Sequence, residues 1–224
     1  MTKLWLIRHG EAHVNRLAAD GSYQLHDEHG LTDRGVEQAV ALGRRLVAEG
    51  VKPDAVICSS FERACQTANI VCEQLGIEPK LSDEVQEWRP GTDLSTIAVA
   101  EAEASWRRIL AGEDHDARLS PLSESHPEFC ARVDKALAEI ANAHLGTTVL
   151  VFTHGGVVDR SFVSFLGVPA RKALLGLRTK HTSITEWQRP DLPHLRDRPD
   201  SPDEPTWVLA RYNDAAHLEG HQQA

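Results

Sequence analysis

Positive charge is scarce in this sequence: 24 Lys and Arg stand against 33 Asp and Glu, a formal net charge of −9. A general electrostatic grip on nucleic acid needs a basic surface, so nucleic acid is not an expected partner. An anionic substrate must instead meet a local cluster of cations set in an acidic body. Cysteine is sparse too. Cys58, Cys65, Cys72 and Cys130 form no CxxC pair, which leaves free buried thiols in a reducing compartment as the expectation. No stretch approaches the ~20 apolar residues of a membrane span. The apolar run Leu4 to Ile7 stops at Arg8 and His9, far short of a signal peptide. A cytoplasmic protein without membrane contact is expected. The five Trp residues, with no basic surface around them, point to core and lid packing rather than to a platform for stacked bases.

What is present fits a globular enzyme. Hydrophobic residues make up 41% and charged residues 25% of the 224, enough to bury one sizeable core. Three short apolar runs read as buried strands: Lys3 to Ile7, Asp54 to Cys58 and Thr147 to Phe152. Their apolarity is continuous rather than alternating, as in a sheet covered on both faces. Between them lie helical patterns. Val36, Ala39, Val40, Gly43, Leu46 and Val47 share one face of a first helix. Phe61, Ala64, Cys65, Ala68, Val71, Cys72 and Leu75 mark a second, with Ser59 and Glu62 placed for a capping box. Phe129, Val133, Leu137, Ile140 and Ala141 mark a third, after Ser125, Pro127 and Glu128. Thr182 to Trp187 and Thr206 to Tyr212 read as later strands, with an exposed, proline-rich loop over 189–205 between them. The alternation predicts an α/β fold: three layers, α/β/α, around a mostly parallel central sheet. Residues 88–125 break the alternation and read as a small helical lid insertion in a single domain spanning 1–224.

The chemistry gathers where strands end. The first three strands run into Arg8-His9-Gly10-Glu11, Ser59-Ser60-Phe61-Glu62-Arg63 and Thr153-His154-Gly155-Gly156. Ligands of open α/β sheets bind outside the carboxyl ends of the strands. If these strands are parallel neighbours, two His and two Arg converge there. Guanidiniums fork onto phosphoryl oxygens, and amides at a helix start add donors and a favourable dipole. Arg63 falls in the first turn of its helix, where the dipole disfavours a cation, so a bound anion accounts for it best. A neutral imidazole in that setting can attack phosphorus and form a phosphohistidine.

These residues carry a resemblance. Leu6-Ile7-Arg8-His9-Gly10-Glu11 with Asn15, Leu31-Thr32-Asp33-Arg34-Gly35 and Cys58-Ser59-Ser60 with Arg63 and Thr67-Ala68 form three ordered blocks. Val151-Phe152-Thr153-His154-Gly155-Gly156 and Asn213-Asp214-Ala215-Ala216-His217-Leu218 form two more. Together they resemble the histidine phosphatase superfamily, which includes the phosphoglycerate mutases. The resemblance implies that His9 is the phosphorylated nucleophile, with Arg8, Arg63 and His154 forming the phosphate pocket. Asn15 and Gly155 would contact substrate. The family's proton-donating acid would be Glu87, with Glu84 as its competitor, and its pKa would have to be raised. The chain departs from the family at Arg89-Pro90-Gly91, where many relatives have Gly-aromatic-Glu-Gly, and at Ser123-Glu124-Ser125, where Gly-Glu-Ser is commoner. Both changes fall at the pocket rim and bear on substrate choice. Trp88, Arg89, Trp106 and Arg107 are candidates for selecting it.

The expected activity is therefore a metal-independent phosphatase acting on a small phosphorylated metabolite, with no cofactor. Two alternatives stay open: a mutase that returns the phosphoryl group to bound substrate, and a noncatalytic phospholigand-binding protein. A metal reading would rest on His26-Asp27-Glu28-His29, or on His217 and His221. Neither has the arrangement of a known metal motif, and no functional metal is expected. A homodimer is left open.

Overall fold

The computed structural model describes residues 1–13, 30–89, 91, 104–105, 107–109, 111, 116, 118–167, 177–190 and 207–219. Among them the elements run β1 (Thr2–Arg8), α1 (Asp33–Ala48), β2 (Ala55–Ser59), α2 (Glu62–Leu75), β3 (Lys80–Ser82), α3 (His126–Ala143), β4 (Thr148–Thr153), α4 (Gly155–Leu166), β5 (Ile184–Arg189) and β6 (Val208–Asp214). The strands form one sheet in the order β3-β2-β4-β1-β5-β6. The pairs β3-β2, β2-β4 and β4-β1 are parallel. The two late strands are antiparallel additions, β5 against β1 and β6 against β5. The α/β expectation holds, with the sheet mixed at one edge.

Alternation along β1 divides the core. Leu4 and Leu6 face a cluster built with Phe129, Val133 and Leu137 of α3 and Val157 of α4. Trp5 and Ile7 face the other side, against Leu42 and Leu46 of α1 and Ala64, Ala68 and Val71 of α2. Helices on both faces explain why the central strands are apolar throughout. Leu4, Leu6 and Leu150 are fully buried; truncating any of them to Ala costs about 2–5 kcal/mol.

Local sequence explains most helix ends. Thr32 caps α1, its Oγ1 accepting from the Gly35 amide at 3.0 Å. Gly35 is required there, because a Cβ would stand 2.0 Å from the Glu11 carbonyl oxygen. Helix α3 opens with a full capping box between Ser125 and Glu128, and Pro127 in its first turn. Helix α2 closes on Gly76 in the left-handed conformation, φ 67°.

Three expectations need correction. The buried face of α1 keeps Ala39, Gly43 and Leu46 of the expected stripe and adds Gly35, Gln38 and Leu42, whereas Val36 and Val47 are exposed; the stripe is rotated because Gly35 must meet the chain after β1. The capping box expected at Ser59 is absent. Phe61, whose ring has no hydrogen-bonding group, is the N-cap of α2; Ser59 lies two residues earlier, its hydroxyl accepting from the Phe61 amide at 3.3 Å and pairing with His154. Trp88, a candidate for the rim, is buried and stacked on Phe129 with ring centroids 5.8 Å apart. Trp106 and most of the expected lid lie outside the described residues, as do residues 191–205 of the expected 189–205 loop.

Candidate active site

Strands β1, β2 and β4 run in one direction, so their carboxyl ends share one edge. Arg8 closes β1 in register with Thr153 of β4, and the His9 amide continues the ladder to the Thr153 carbonyl at 2.9 Å. His154 is the N-cap of α4, Gly155 its first residue, and Arg63 stands in the first turn of α2. The fold thus brings Arg8, His9, Arg63, His154, Gly155 and Glu87 together. Asn15 lies outside the described residues.

His9 is the centre of the group. Its Nδ1 lies 2.7 Å from the Gly10 carbonyl oxygen. A carbonyl only accepts, so Nδ1 carries the proton and Nε2 keeps its lone pair. Arg63 Nε donates to that lone pair at 3.3 Å. The His154 ring stands 5.1 Å away, centroid to centroid. Burial, then Arg63 and Arg8, hold the His9 imidazole well below its usual pKa. His154 is depressed in the same way by burial, Arg63, His9 and Arg8. Both rings are neutral at neutral pH, the state a nucleophile or a phosphate hydrogen-bond partner requires.

Packing keeps these groups in place. His154 Nε2 pairs with Ser59 Oγ at 2.8 Å, and Phe61 meets the same ring edge-on at 5.3 Å. Phe61 also carries the Arg63 guanidinium 5.0 Å over its face. Arg8 donates to the Thr179 carbonyl, and burial lowers its pKa despite the opposing charge of Glu87. Two buried nitrogens here, Arg8 Nε and His154 Nδ1, have no protein partner. Cationic and neutral donors thus surround the His9 Nε2 lone pair, an arrangement chemically suited to an anion.

The two candidate acids part company. Glu87 Oε2 accepts from the Gly156 amide at 2.9 Å, two residues after His154. Oε1 accepts from the Trp88 amide at 3.1 Å. Gly156 permits this approach, since a Cβ would lie 2.2 Å from Oε1. That amide at the start of α4 therefore serves the carboxylate, not a phosphate as its position suggested. Glu84 is half exposed and its carboxylate lies 3.6 Å from Arg89. A buried clamp holds the acid-bearing loop: Arg132 donates to the carbonyls of Glu84, Gln86 and Glu87 while forking onto Glu124.

Sequence reasoning did not single out Arg132, His181 or Thr182. His181 places its ring 5.7 Å from that of His9. The signal was available in the topology alone: β5 is antiparallel, so residues just before it share the edge where parallel strands end. Among the described residues no three His, Cys, Asp or Glu side chains cluster as a metal site, and no helix is long and apolar enough to cross a membrane. His26, Asp27, Glu28, His29 and His221 lie outside those residues. All four cysteines are free.

Fold and site together define an α/β enzyme with a phosphate-type anion pocket around a neutral imidazole. The chain belongs to branch 1 of the histidine phosphatase superfamily, whose family model matches residues 4–192. It is a phosphoric monoester hydrolase of the histidine phosphatase type. It is 28% identical over 221 residues to a probable phosphoglycerate mutase of Enterobacter sp., covering 98% of this chain and 96% of that one. It is 33% identical over 175 residues to the adenosylcobalamin/α-ribazole phosphatase of Escherichia coli, covering 75% and 81%. The fold matches that of Bacillus stearothermophilus YhfR with a TM-score of 0.74 at 24% identity, over 97% of this chain and 100% of that one.

Proposed function

We propose that this protein is a metal-independent, cytoplasmic phosphatase that hydrolyses a small phosphorylated metabolite through a phosphohistidine on His9. The observation that carries the reading is the His9 tautomer. Nδ1–H is held by the Gly10 carbonyl, which leaves Nε2 unprotonated beside Arg63. A phosphoryl group that takes the guanidinium releases this lone pair for attack.

The steps follow from the geometry. Nε2 attacks phosphorus in line while Arg8, Arg63 and His154 bind the non-bridging oxygens, over which the phosphoryl charge is spread in the transition state. Glu87 gives a proton to the departing alcohol oxygen. Its carboxylate then takes a proton from water as the water oxygen attacks phosphorus. The P–N bond breaks, inorganic phosphate leaves, and His9 returns to its neutral form. Gly155, the first residue of α4 after His154, is proposed to contact the substrate. Asn15 is proposed to contact the substrate, on the resemblance alone. In protein cleared of contaminating phosphatases, His9→Ala abolishes turnover; retained turnover refutes the mechanism.

A mutase reading draws on the mutase-named Enterobacter relative, which aligns along almost the whole chain. It shares the first half-reaction and differs in what accepts the phosphoryl group. Incubation of 3-phosphoglycerate with catalytic 2,3-bisphosphoglycerate separates the two. Inorganic phosphate is the product expected here, and accumulation of 2-phosphoglycerate overturns the choice.

A further inference from the structure

A third imidazole beside His9 has no part in the steps above. His181 lies in the turn before β5, its ring centroid 5.7 Å from that of His9, little farther than the 5.1 Å of His154. Its Nε2 is buried and has no hydrogen-bond partner. Arg8 Nε and His154 Nδ1 share this condition. Three residues around one ring thus each bury a polar nitrogen that the protein itself leaves unsatisfied. Buried polar groups are rarely left so, and each such case asks for a partner in the working state. One partner meets all three: an anion with several acceptor oxygens, seated over His9.

The backbone independently shows that His181 is held in place. Thr182, the next residue, has φ 54°, a left-handed conformation that a β-branched residue adopts only at a cost in strain. Its amide donates to the carbonyls of Arg8 at 3.0 Å and His9 at 3.3 Å. Its Oγ1 pairs with His217 Nε2 at 2.8 Å. On the other side, Arg8 donates to the Thr179 carbonyl, and the Lys180 amide donates to Asn213 Oδ1 at 2.6 Å. The turn is therefore tied to the nucleophile-bearing chain and to the Asn213–His217 segment. Burial and the nearby Arg8 charge, opposed by Glu11 and reinforced by Arg34, pull the His181 pKa down to about 4. A ring that is neutral at physiological pH can donate from Nε2 when its other nitrogen is unprotonated.

We propose that His181 is a further catalytic residue of this site, donating a hydrogen bond from Nε2 to a non-bridging oxygen of the phosphoryl group during transfer. The inference rests on the reading of the site as a phosphoryl pocket. In the transition state the phosphoryl charge is spread over three equatorial oxygens that move into a trigonal plane, so a donor placed for that geometry binds it better than the ground state and favours kcat over KM.

The test compares the intact protein with His181→Ala and His181→Gln, using orthovanadate as the probe and thermal melting as a check on folding. Loss of one prearranged donor in such a site lowers kcat roughly 100- to 1,000-fold. The vanadate inhibition constant should rise by a comparable factor in His181→Ala, with KM for substrate little changed. Gln retains an N–H donor and should recover part of the loss, which a purely structural role does not predict. Vanadate inhibition within twofold of the parent protein in both variants overturns the proposal. A parent protein that neither hydrolyses phosphomonoesters nor binds vanadate overturns the phosphatase reading itself, and this inference with it.

Discussion

Replacing Arg132 by Lys tests whether the acid-bearing loop is held as the geometry implies. Arg132 and Glu124 are 7% and 8% exposed. The guanidinium reaches both Glu124 oxygens at 2.7 Å and the carbonyls of Glu84, Gln86 and Glu87 at 2.8, 3.1 and 3.3 Å. An ammonium keeps the charge but has three donors, too few for these acceptors. At least two buried acceptors are left over, each costing about 1–3 kcal/mol before relaxation. A loss of about 2–6 kcal/mol follows, a large part of a typical domain's stability. Catalysis should suffer selectively, since Arg8, His9, Arg63 and His154 stand on other elements. With Glu87 displaced by about 1 Å, kcat should fall roughly 100-fold while KM barely moves. The fall should be larger for an alkyl phosphate than for p-nitrophenyl phosphate, whose leaving group needs little protonation. Urea denaturation and steady-state kinetics with both esters provide the assay. A destabilisation below about 1 kcal/mol, or equal losses on both esters, refutes the reasoning.

Other consequences are equally concrete. Gly156→Ala places a Cβ 2.2 Å from Glu87 Oε1; the carboxylate is the flexible partner, so a cost of about 1–3 kcal/mol should accompany at least a tenfold drop in kcat, and unchanged kcat contradicts the placement. Acid should destabilise the protein. His9, His154 and His181 have pKa values lowered in the folded state, so below about pH 6.5 the unfolded chain takes up protons that the folded one refuses. Stability is then full above the unfolded value and declines as pH falls toward the folded values. Calorimetry at pH 7 and pH 4.5 should show a lower melting temperature in acid, and a rise would reverse the assigned direction. Prolonged dialysis against EDTA should leave activity intact, whereas loss restored by added zinc would favour a metal enzyme.

Much of this was legible in the residues. Strands β1, β2 and β4 announce themselves by short apolar runs, and Arg8, His9, Arg63 and His154 follow from strand ends at a shared edge. Glu87 was preferred to Glu84 on the resemblance alone; the structure adds one amide, that of Gly156, which holds the Glu87 carboxylate near His154. Ser59 misled because a hydroxyl three residues before a Glu reads as a cap, whereas the helix starts at Glu62 with Phe61 as its N-cap, and Ser59 is shared between the Phe61 amide and a buried imidazole. His181 escaped notice because the carboxyl-end rule applies to parallel strands, and an antiparallel neighbour delivers its amino end to the same place. Arg132 sits among the apolar positions of α3 and reads as an ordinary helix residue until Glu124 and three carbonyls are seen around it.

The most direct measurement is chemical trapping of the covalent intermediate. Radiolabelled substrate, rapid quenching during turnover and peptide mapping should reveal phosphate on the peptide containing His9, stable to base and released by acid. Turnover with no such label, or with label on another residue, contradicts the account.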